Sequence, residues 1–278
     1  MSDTTQTIGI IGGGFVGHAT ARAFMEFAEV RVFDIQPELS NASEQEALDC
    51  EVVFVCLPTP MLPDGQCDLA YIGDFLRSQG GSTGIFVIKS TVPVGTTDMF
   101  AEIYNLPGLV FCPEFLTARC SVADAMTPSR SIVGHQGKHR TVASDIVATM
   151  LAERFRHAPL RMPARDAELV KYGCNSFFAV KVAYFNELKE IAQNTGCDYE
   201  QVLHGMLADG RIANSHCNVP GPDGKKGFGG TCLPKDINAL TWTAIECDAA
   251  HNVIEAAWET NVELRPTIFD ELGILTCP

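Results

Sequence analysis

A chain of 278 residues with 46 % hydrophobic and 19 % charged residues carries enough apolar surface for one large core or two modest ones, which excludes a disordered protein. A formal charge of −14 excludes a general nucleic-acid or anionic-membrane binder, yet leaves room for an anionic small ligand held by a local positive pocket. Eleven cysteines, an odd number without a C-x-x-C pair, offer no zinc spacing and no metal is expected; Cys56 and Cys112 lie in apolar runs and read as buried thiols of a reducing cytosol.

The opening stretch "MSDTTQT" is polar and has no basic region ahead of an apolar core, so it does not read as a signal peptide. No apolar run approaches the roughly 18 residues of a membrane span, and a cytoplasmic location is expected. Short β-branched runs then alternate with helical stretches. "IGII", "VRVFD", "EVVFVCLP", "GIFVIKS" and "GLVFCPE" are the strands, and "RSIVG" adds an edge strand. Such alternation predicts a parallel sheet covered on both faces, with ligands at the carboxyl ends of its strands.

Gly12-x-Gly14-x-x-Gly17 falls between the first strand and the first helix, where a dinucleotide fingerprint must sit. Gly12 permits the tight turn, Gly14 admits a pyrophosphate, and Gly17 lets helix and strand pack closely. Asp34 ends the second strand and is placed to accept from adenosine ribose hydroxyls. The next cation in the chain is Arg77, so a 2′-phosphate finds no local partner and NAD is favoured over NADP.

The second half changes period. "ARDAELVKYGCNSFFAVKVAYFNELKEIAQNTG" brings Phe177, Val180, Tyr184, Leu188 and Ile191 to one apolar helix face and ends at Gly196, a C-terminal cap. At about 30 residues the helix spans roughly 45 Å, which suits a bridge between domains or a dimer seam. Lys171 and Asn175, four apart, share a helix face. They read either as a solvated pair or as a cation and an amide aimed at a developing oxyanion. "DYEQVLHGMLAD", "PKDINALTWTAIECD" and "HNVIEAAWETNVEL" are further helices. Before the second of these stands "GFGGTCLPKD", where glycines that let backbone approach a bulky ligand precede Cys232, with Asp236 one helical turn on. The segment is either a cysteine nucleophile facing that ligand or a flexible loop before an ordinary helix.

These motifs in this order, the fingerprint followed by "KSTVPVGTT", "PEFL", "AELVKYGCN" and "GFGGTCLPKD", resemble the UDP-glucose/GDP-mannose dehydrogenase family, and within it the UDP-glucose 6-dehydrogenases, from about Ile8 to about Asn261. The resemblance implies an α/β fold. An NAD-binding Rossmann-like domain over 1–163 precedes an all-helical central domain over 164–278, with a long dimerising helix. It implies a four-electron oxidation of a nucleotide-sugar primary alcohol to a carboxylate, UDP-glucose to UDP-glucuronate, by a homodimer using NAD. Cys232 matches the thiol nucleophile, Asp236 its nearby carboxylate, and Lys171 and Asn175 the oxyanion-stabilising pair. Thr91 matches a residue that holds a water, and Glu114 an acid/base carboxylate. The implied cofactor set is Gly12, Gly14, Phe15, Val16, Gly17, Asp34, Pro58, Thr59, Ser90 and Thr91. The implied substrate set is Glu114, Phe115, Leu116, Lys171, Asn175, Arg211, Gly227, Phe228 and Gly229, with Lys225 and Lys226 adding positive potential.

The pattern departs from the family at three places. The chain stops at Pro278, where relatives continue into a second Rossmann-like domain, so a short form lacking that domain is expected. Ala118 and Arg119 stand where an acid and a glycine are usual, and Cys112 replaces an asparagine. GDP-mannose and UDP-N-acetylmannosamine therefore stay open as substrates. Two other functions also stay open: a two-electron β-hydroxyacid dehydrogenase, which needs no cysteine, and a non-catalytic NAD-binding protein.

Overall fold

The computed structural model describes residues 6–274. Residues 1–5 of the polar N-terminal stretch and the end of the chain around Pro278 lie outside the described residues. The chain divides into two compact units. One comprises the residues through Thr59 together with Asp68–Lys171; the other comprises Pro60–Cys67 and the residues from Tyr172 on.

In the first unit β1 (Thr7–Ile11), α1 (Phe15–Phe24), β2 (Glu29–Phe33), α2 (Glu44–Leu48), β3 (Val52–Val55), α3 (Ala70–Ser78), β4 (Ile85–Ile88), α4 (Thr96–Ile103) and β5 (Leu109–Phe111) alternate as expected. They are followed by α5 (Ser121–Met126), β6 (Ile132–His135), α6 (Val142–Phe155) and β7 (Leu160–Pro163). The seven strands lie in the order β2-β1-β3-β4-β5-β6-β7. Strand residues alternate between two cores. Ile8, Ile10, Val52, Phe54, Val87 and Val110 pack with Phe24 and Leu151 on one face. Ile11, Val53, Val55, Phe86, Ile88, Leu109 and Phe111 pack with Ile72, Leu76 and Phe100 on the other. A sheet buried on both faces is why these strands read as continuous apolar runs.

Two expectations for the sheet need correction. Strand β6, from "RSIVG", is not an edge strand: it lies between β5 and β7, and β7 is the edge. It also runs antiparallel to β5, while every other pairing is parallel. Strand β7, "LRMP", is a short seventh strand, not among those expected from the sequence, that ends in a proline, as an edge strand can.

Helix α7 (Ala164–Thr195) is a single 32-residue helix that begins in the first unit and continues into the second. It stops at Gly196, whose φ of +75° ends it in the left-handed region. The second unit adds α8 (Tyr199–Leu207), α9 (Cys232–Glu246), α10 (Asn252–Leu264) and α11 (Ile268–Glu271). Phe185, Ala192, Tyr199, Leu203, Cys217 and Val219 form one small core, and Ala179, Ala183, Phe228, Ile237 and Ala257 another. The apolar face expected of α7 is therefore split. Val180 and Leu188 pack against these cores, whereas Phe177, Tyr184 and Ile191, seven residues apart, are 62, 51 and 58 % exposed. The helix turns Ala179, Ala183, Phe185 and Ala192 toward the cores of its own unit. The segment Pro60–Cys67 is pinned to α9 by Trp242 Nε1 donating to the Asp64 carbonyl at 2.8 Å. Among the described residues no helix is long and apolar enough to cross a membrane.

Candidate active site

The three fingerprint glycines differ in what a side chain would meet. Gly12 has φ +95°, and a Cβ there would stand 2.6 Å from the Cys56 carbonyl oxygen. At Gly17 it would stand 1.8 Å from the Gly12 carbonyl oxygen and 3.3 Å from Ile10. At Gly14 it would meet nothing within 4 Å. Two glycines thus serve the turn and the helix–strand contact, and the third leaves open space at the α1 N-terminus, which no side chain caps. Open backbone at a helix N-terminus suits a pyrophosphate. Asp34, just past β2, is held beside this loop: one carboxylate oxygen accepts from Gly13 N–H at 2.7 Å, the other from Gln36 N–H at 2.8 Å. The chain leaves β1 on one side for β2 and returns on the other for β3, so the fingerprint lies at the point where strand order reverses.

The loops after β3 and β4 are tied to each other. Thr59 Oγ1 donates to the Thr91 carbonyl at 2.9 Å, and Ser90 Oγ to the Leu57 carbonyl at 2.5 Å. These bonds fix Pro58, Thr59, Ser90 and Thr91 at the carboxyl ends of the strands. Beyond β5, Glu114 Oε1 accepts from Lys171 Nζ at 2.8 Å and Glu114 Oε2 from Leu116 N–H at 2.5 Å. Lys171 and Glu114 are almost wholly buried, 4 and 10 % exposed in their side chains. Removing either would strand a charge in the interior, a loss of about 3–5 kcal/mol. Phe115 carries the Arg130 guanidinium 3.9 Å from its ring centre and Lys171 Nζ at 5.5 Å. A cavity of about 220 Å³ opens here, lined by Lys89, Cys112, Glu114, Leu116 and Arg130 among others. Typical small-molecule pockets hold roughly 300–1,000 Å³, so this one suits a single ring or phosphate. Cys56 below it is a plain thiol, pushed up to about 12 by burial despite the opposing pull of Lys89.

The second unit assembles a different group. Helix α9 begins at Cys232 itself, whose residue is exposed. One turn on, Asp236 is 1 % exposed and accepts from two sides: Asn175 Nδ2 at 2.6 Å and Lys235 Nζ at 2.5 Å. Burial works against the Lys235 charge, but the Asp236 carboxylate outweighs it, helped by Cys67 and Cys232, and the lysine pKa is raised. A lysine that stays charged at any physiological pH therefore sits in the field of the Cys232 sulfur. Arg211 does not join this group: its guanidinium is 89 % exposed and bonded to Asp209, at 2.9 Å from Nε to Oδ1. Lys225 is likewise engaged, with Glu271 at 2.8 Å. Lys171 and Asn175, one turn apart on α7, have separate partners, Glu114 and Asp236, each within its own unit.

Four buried polar residues escape a reading by motif. Glu168, wholly buried, accepts from Gly95 N–H, Thr97 N–H and Thr97 Oγ1 at 2.5, 2.9 and 2.6 Å, and so holds the start of α4. Asn186, Asn261 and Arg265 grip the glycine loop. Only Glu168 had a signal, its place in "AELVK" three residues before Lys171; the others sit in helical stretches where a polar residue ordinarily faces water.

The chain is similar to known proteins in sequence and fold. The model of the UDP-glucose/GDP-mannose dehydrogenase NAD-binding domain matches residues 34–152, and that of the same family's central domain matches 165–263. A UDP-glucose 6-dehydrogenase of Pseudomonas aeruginosa is 31 % identical over 96 % of this chain and 67 % of its own length. Another, from Bacillus subtilis, is 29 % identical over 95 % of this chain and 65 % of its own. The structure of a UDP-glucose dehydrogenase from Pyrobaculum islandicum superposes with a TM-score of 0.81 at 26 % identity, covering 98 % of this chain and 72 % of that one. The chain spans about half to two thirds of the length of the curated relatives it matches.

Proposed function

The chain belongs to the UDP-glucose/GDP-mannose dehydrogenase family, and from that premise we propose that it oxidises the primary alcohol of a nucleotide sugar to a carboxylate, UDP-glucose to UDP-glucuronate. Two NAD, bound in succession, would supply the acceptors for the two oxidations, one hydride each. Gly12 and Gly17 shape the turn in which Gly14, Phe15 and Val16 would hold the NAD pyrophosphate at the α1 N-terminus, and Asp34 would hold its adenosine ribose, with Pro58, Thr59, Ser90 and Thr91 at the strand ends. The open space at Gly14 and the anchored Asp34 carboxylate fit that role.

The protein's own chemistry centres on Cys232. Its sulfur adds to the carbon of the aldehyde reached after the first oxidation, and the carbonyl electron pair moves to oxygen, giving a thiohemiacetal. Lys171 and Asn175 donate hydrogen bonds to that oxyanion. The second oxidation leaves a thioester. A water held by Thr91 and deprotonated by Asp236 or Glu114 attacks the acyl carbon, the C–S bond breaks, and the thiolate returns to Cys232. Glu114, Phe115 and Leu116, which line the cavity after β5, contact the sugar nucleotide; Arg211, held by Asp209, and the loop Gly227, Phe228 and Gly229, held by Asn261 and Arg265, would have to change partners to do so. The observation that carries this reading is the buried group of Asn175, Lys235 and Asp236 one turn from an exposed Cys232. Such a group has little use in a protein that only binds NAD. The enzyme acts as a homodimer, supported by the exposed stripe of Phe177, Tyr184 and Ile191 on α7; a monomer in sedimentation velocity would remove that part.

The test is to measure NADH formed per sugar nucleotide consumed. Two supports the reading, one indicates a simple two-electron dehydrogenase, and none indicates a non-catalytic protein.

A further inference from the structure

The glycines ahead of Cys232 make room for the protein itself. A Cβ on Gly227, whose φ is +70°, would stand 2.4 Å from Asn261 Oδ1. A Cβ on Gly229 would stand between 2.3 and 2.7 Å from three atoms of the Arg265 guanidinium. Only Gly230 faces open space, and its φ of +72° is what glycine supplies there. The loop is bare because α10 presses against it.

The contact is specific. Asn261 is wholly buried and reads both backbone groups of Phe228: Oδ1 accepts from Phe228 N–H at 2.6 Å, and Nδ2 donates to the Phe228 carbonyl at 3.1 Å. One side chain thus replaces a neighbouring strand, which only a carboxamide can do because it carries donor and acceptor on one carbon. Asn186 on α7 accepts from the adjacent Gly227 N–H at 3.2 Å. Arg265, one turn after Asn261 and 5 % exposed, lies flat under Gly229, bonded to Asp223 at 2.6 Å and to Glu271 at 2.6 and 2.8 Å. Those carboxylates take its Nε and Nη2, while Nη1 is buried without a hydrogen-bond partner, and the planar group backs the loop at Gly229. Beyond the loop, α9 begins at Cys232 with no side-chain cap of its own. The loop backbone sets where α9 starts and so where Cys232 stands, with the Thr231 hydroxyl 4.0 Å from its sulfur and Lys235 of α9 nearby.

We propose that Asn261 and Arg265 are positioning residues that fix the backbone of 227–229, and with it the entry into α9, and so place the Cys232 sulfur toward its reaction partner. The inference rests on Cys232 being the nucleophile of the proposed reaction. It explains why buried polar groups are spent on one loop when apolar packing would hold it as firmly, because hydrogen bonds fix a direction and apolar contacts do not.

The experiment compares Asn261→Leu and Arg265→Lys with Leu203→Ala, which thins the other small core of the same unit without touching the loop. Alkylation of each cysteine by iodoacetamide is followed by peptide mass spectrometry from pH 6 to 10, with the exposed Cys197 and Cys247 as internal references. NADH formation and the melting midpoint are measured alongside. Asn261→Leu and Arg265→Lys should lower kcat by about ten- to a hundredfold, as small misplacements of reacting groups do, with KM for NAD unchanged. The pH profile of Cys232 alkylation should shift while those of Cys197 and Cys247 stay fixed. Leu203→Ala should lower the melting midpoint and leave the Cys232 profile and kcat near wild type. Wild-type profiles and turnover in the two loop variants would overturn the proposal. An equal shift in Leu203→Ala would also overturn it, by reducing both residues to general stability. Should Asn261→Leu fail to fold, Arg265→Lys decides. A wild-type chain that forms no NADH sinks the reaction reading, while the alkylation arm still tests the loop.

Discussion

Glu168 offers a pH signature with a definite sign. Its carboxyl is buried at the start of α7 and receives three donors from the N-terminal turn of α4, at Gly95 and Thr97. Burial nevertheless dominates, Asp98 adds repulsion, and the pKa is raised to about 7 from a reference of 4.5. The nearby Arg165 is bonded to Asp98 at 3.1 Å. Because the folded-state pKa is the higher one, the native state binds more protons between pH 4.5 and 7. Stability from this group is complete below about pH 4.5, declines as pH rises, and is gone above about pH 7. The shift of about 2.5 units corresponds to roughly 3 kcal/mol at 1.36 kcal/mol per unit. Glu168→Gln stays neutral throughout, and its mismatched amide costs about 1–3 kcal/mol at every pH. Chemical denaturation of both proteins from pH 4 to 9 isolates the titrating part. The stability of wild type relative to Glu168→Gln should fall by about 3 kcal/mol between pH 4.5 and 7.5 and then level off. A difference that stays constant, or grows with pH, would mean that the three donors outweigh burial and that the reasoning is wrong.

Cys232→Ser should cut carboxylate formation by at least about a thousandfold and leave NAD affinity unchanged, since a serine hydroxyl is a far poorer nucleophile at neutral pH; near-normal product formation by liquid chromatography rules out the thiol route. NAD should be preferred over NADP by at least about tenfold in kcat/KM, because Asp34 would face the extra phosphate; equal efficiency with the two cofactors at saturating sugar nucleotide would show that its carboxylate does not reach the ribose. Gly14→Ala should keep the melting midpoint within about 2 °C, as its Cβ meets nothing within 4 Å, yet weaken NAD binding by at least about tenfold in calorimetry. Gly17→Ala, whose Cβ would stand 1.8 Å from the Gly12 carbonyl oxygen, should instead lose the fold of the first unit by circular dichroism. Identical behaviour of the two variants would refute the separate roles given to those glycines.

The sequence by itself determined what depends on neighbours along the chain. Strands β1 to β5, the fingerprint turn, the 32-residue helix and its stop at Gly196 follow from local periods and from glycine's freedom at positive φ. The family-bearing motifs are also short and local, so Cys232, Lys171 and Asn175 were legible as candidates. Tertiary structure decided whatever depends on distant partners. Strand β6 became an interior strand because β7, only four residues long, covers its far edge, and its antiparallel pairing with β5 is likewise a matter of where the chain returns. Phe177, Tyr184 and Ile191 match the core pattern in sequence, yet stay exposed because α7 turns another face, with Ala179, Ala183, Phe185 and Ala192, to the cores of its own unit. The polar residues that shape the loops act across 33 positions from Asn261 to Phe228 and 73 from Glu168 to Gly95. A buried asparagine or glutamate looks like a surface residue in sequence, since only its burial and the backbone groups it meets distinguish it, and both arise when the chain folds back on itself.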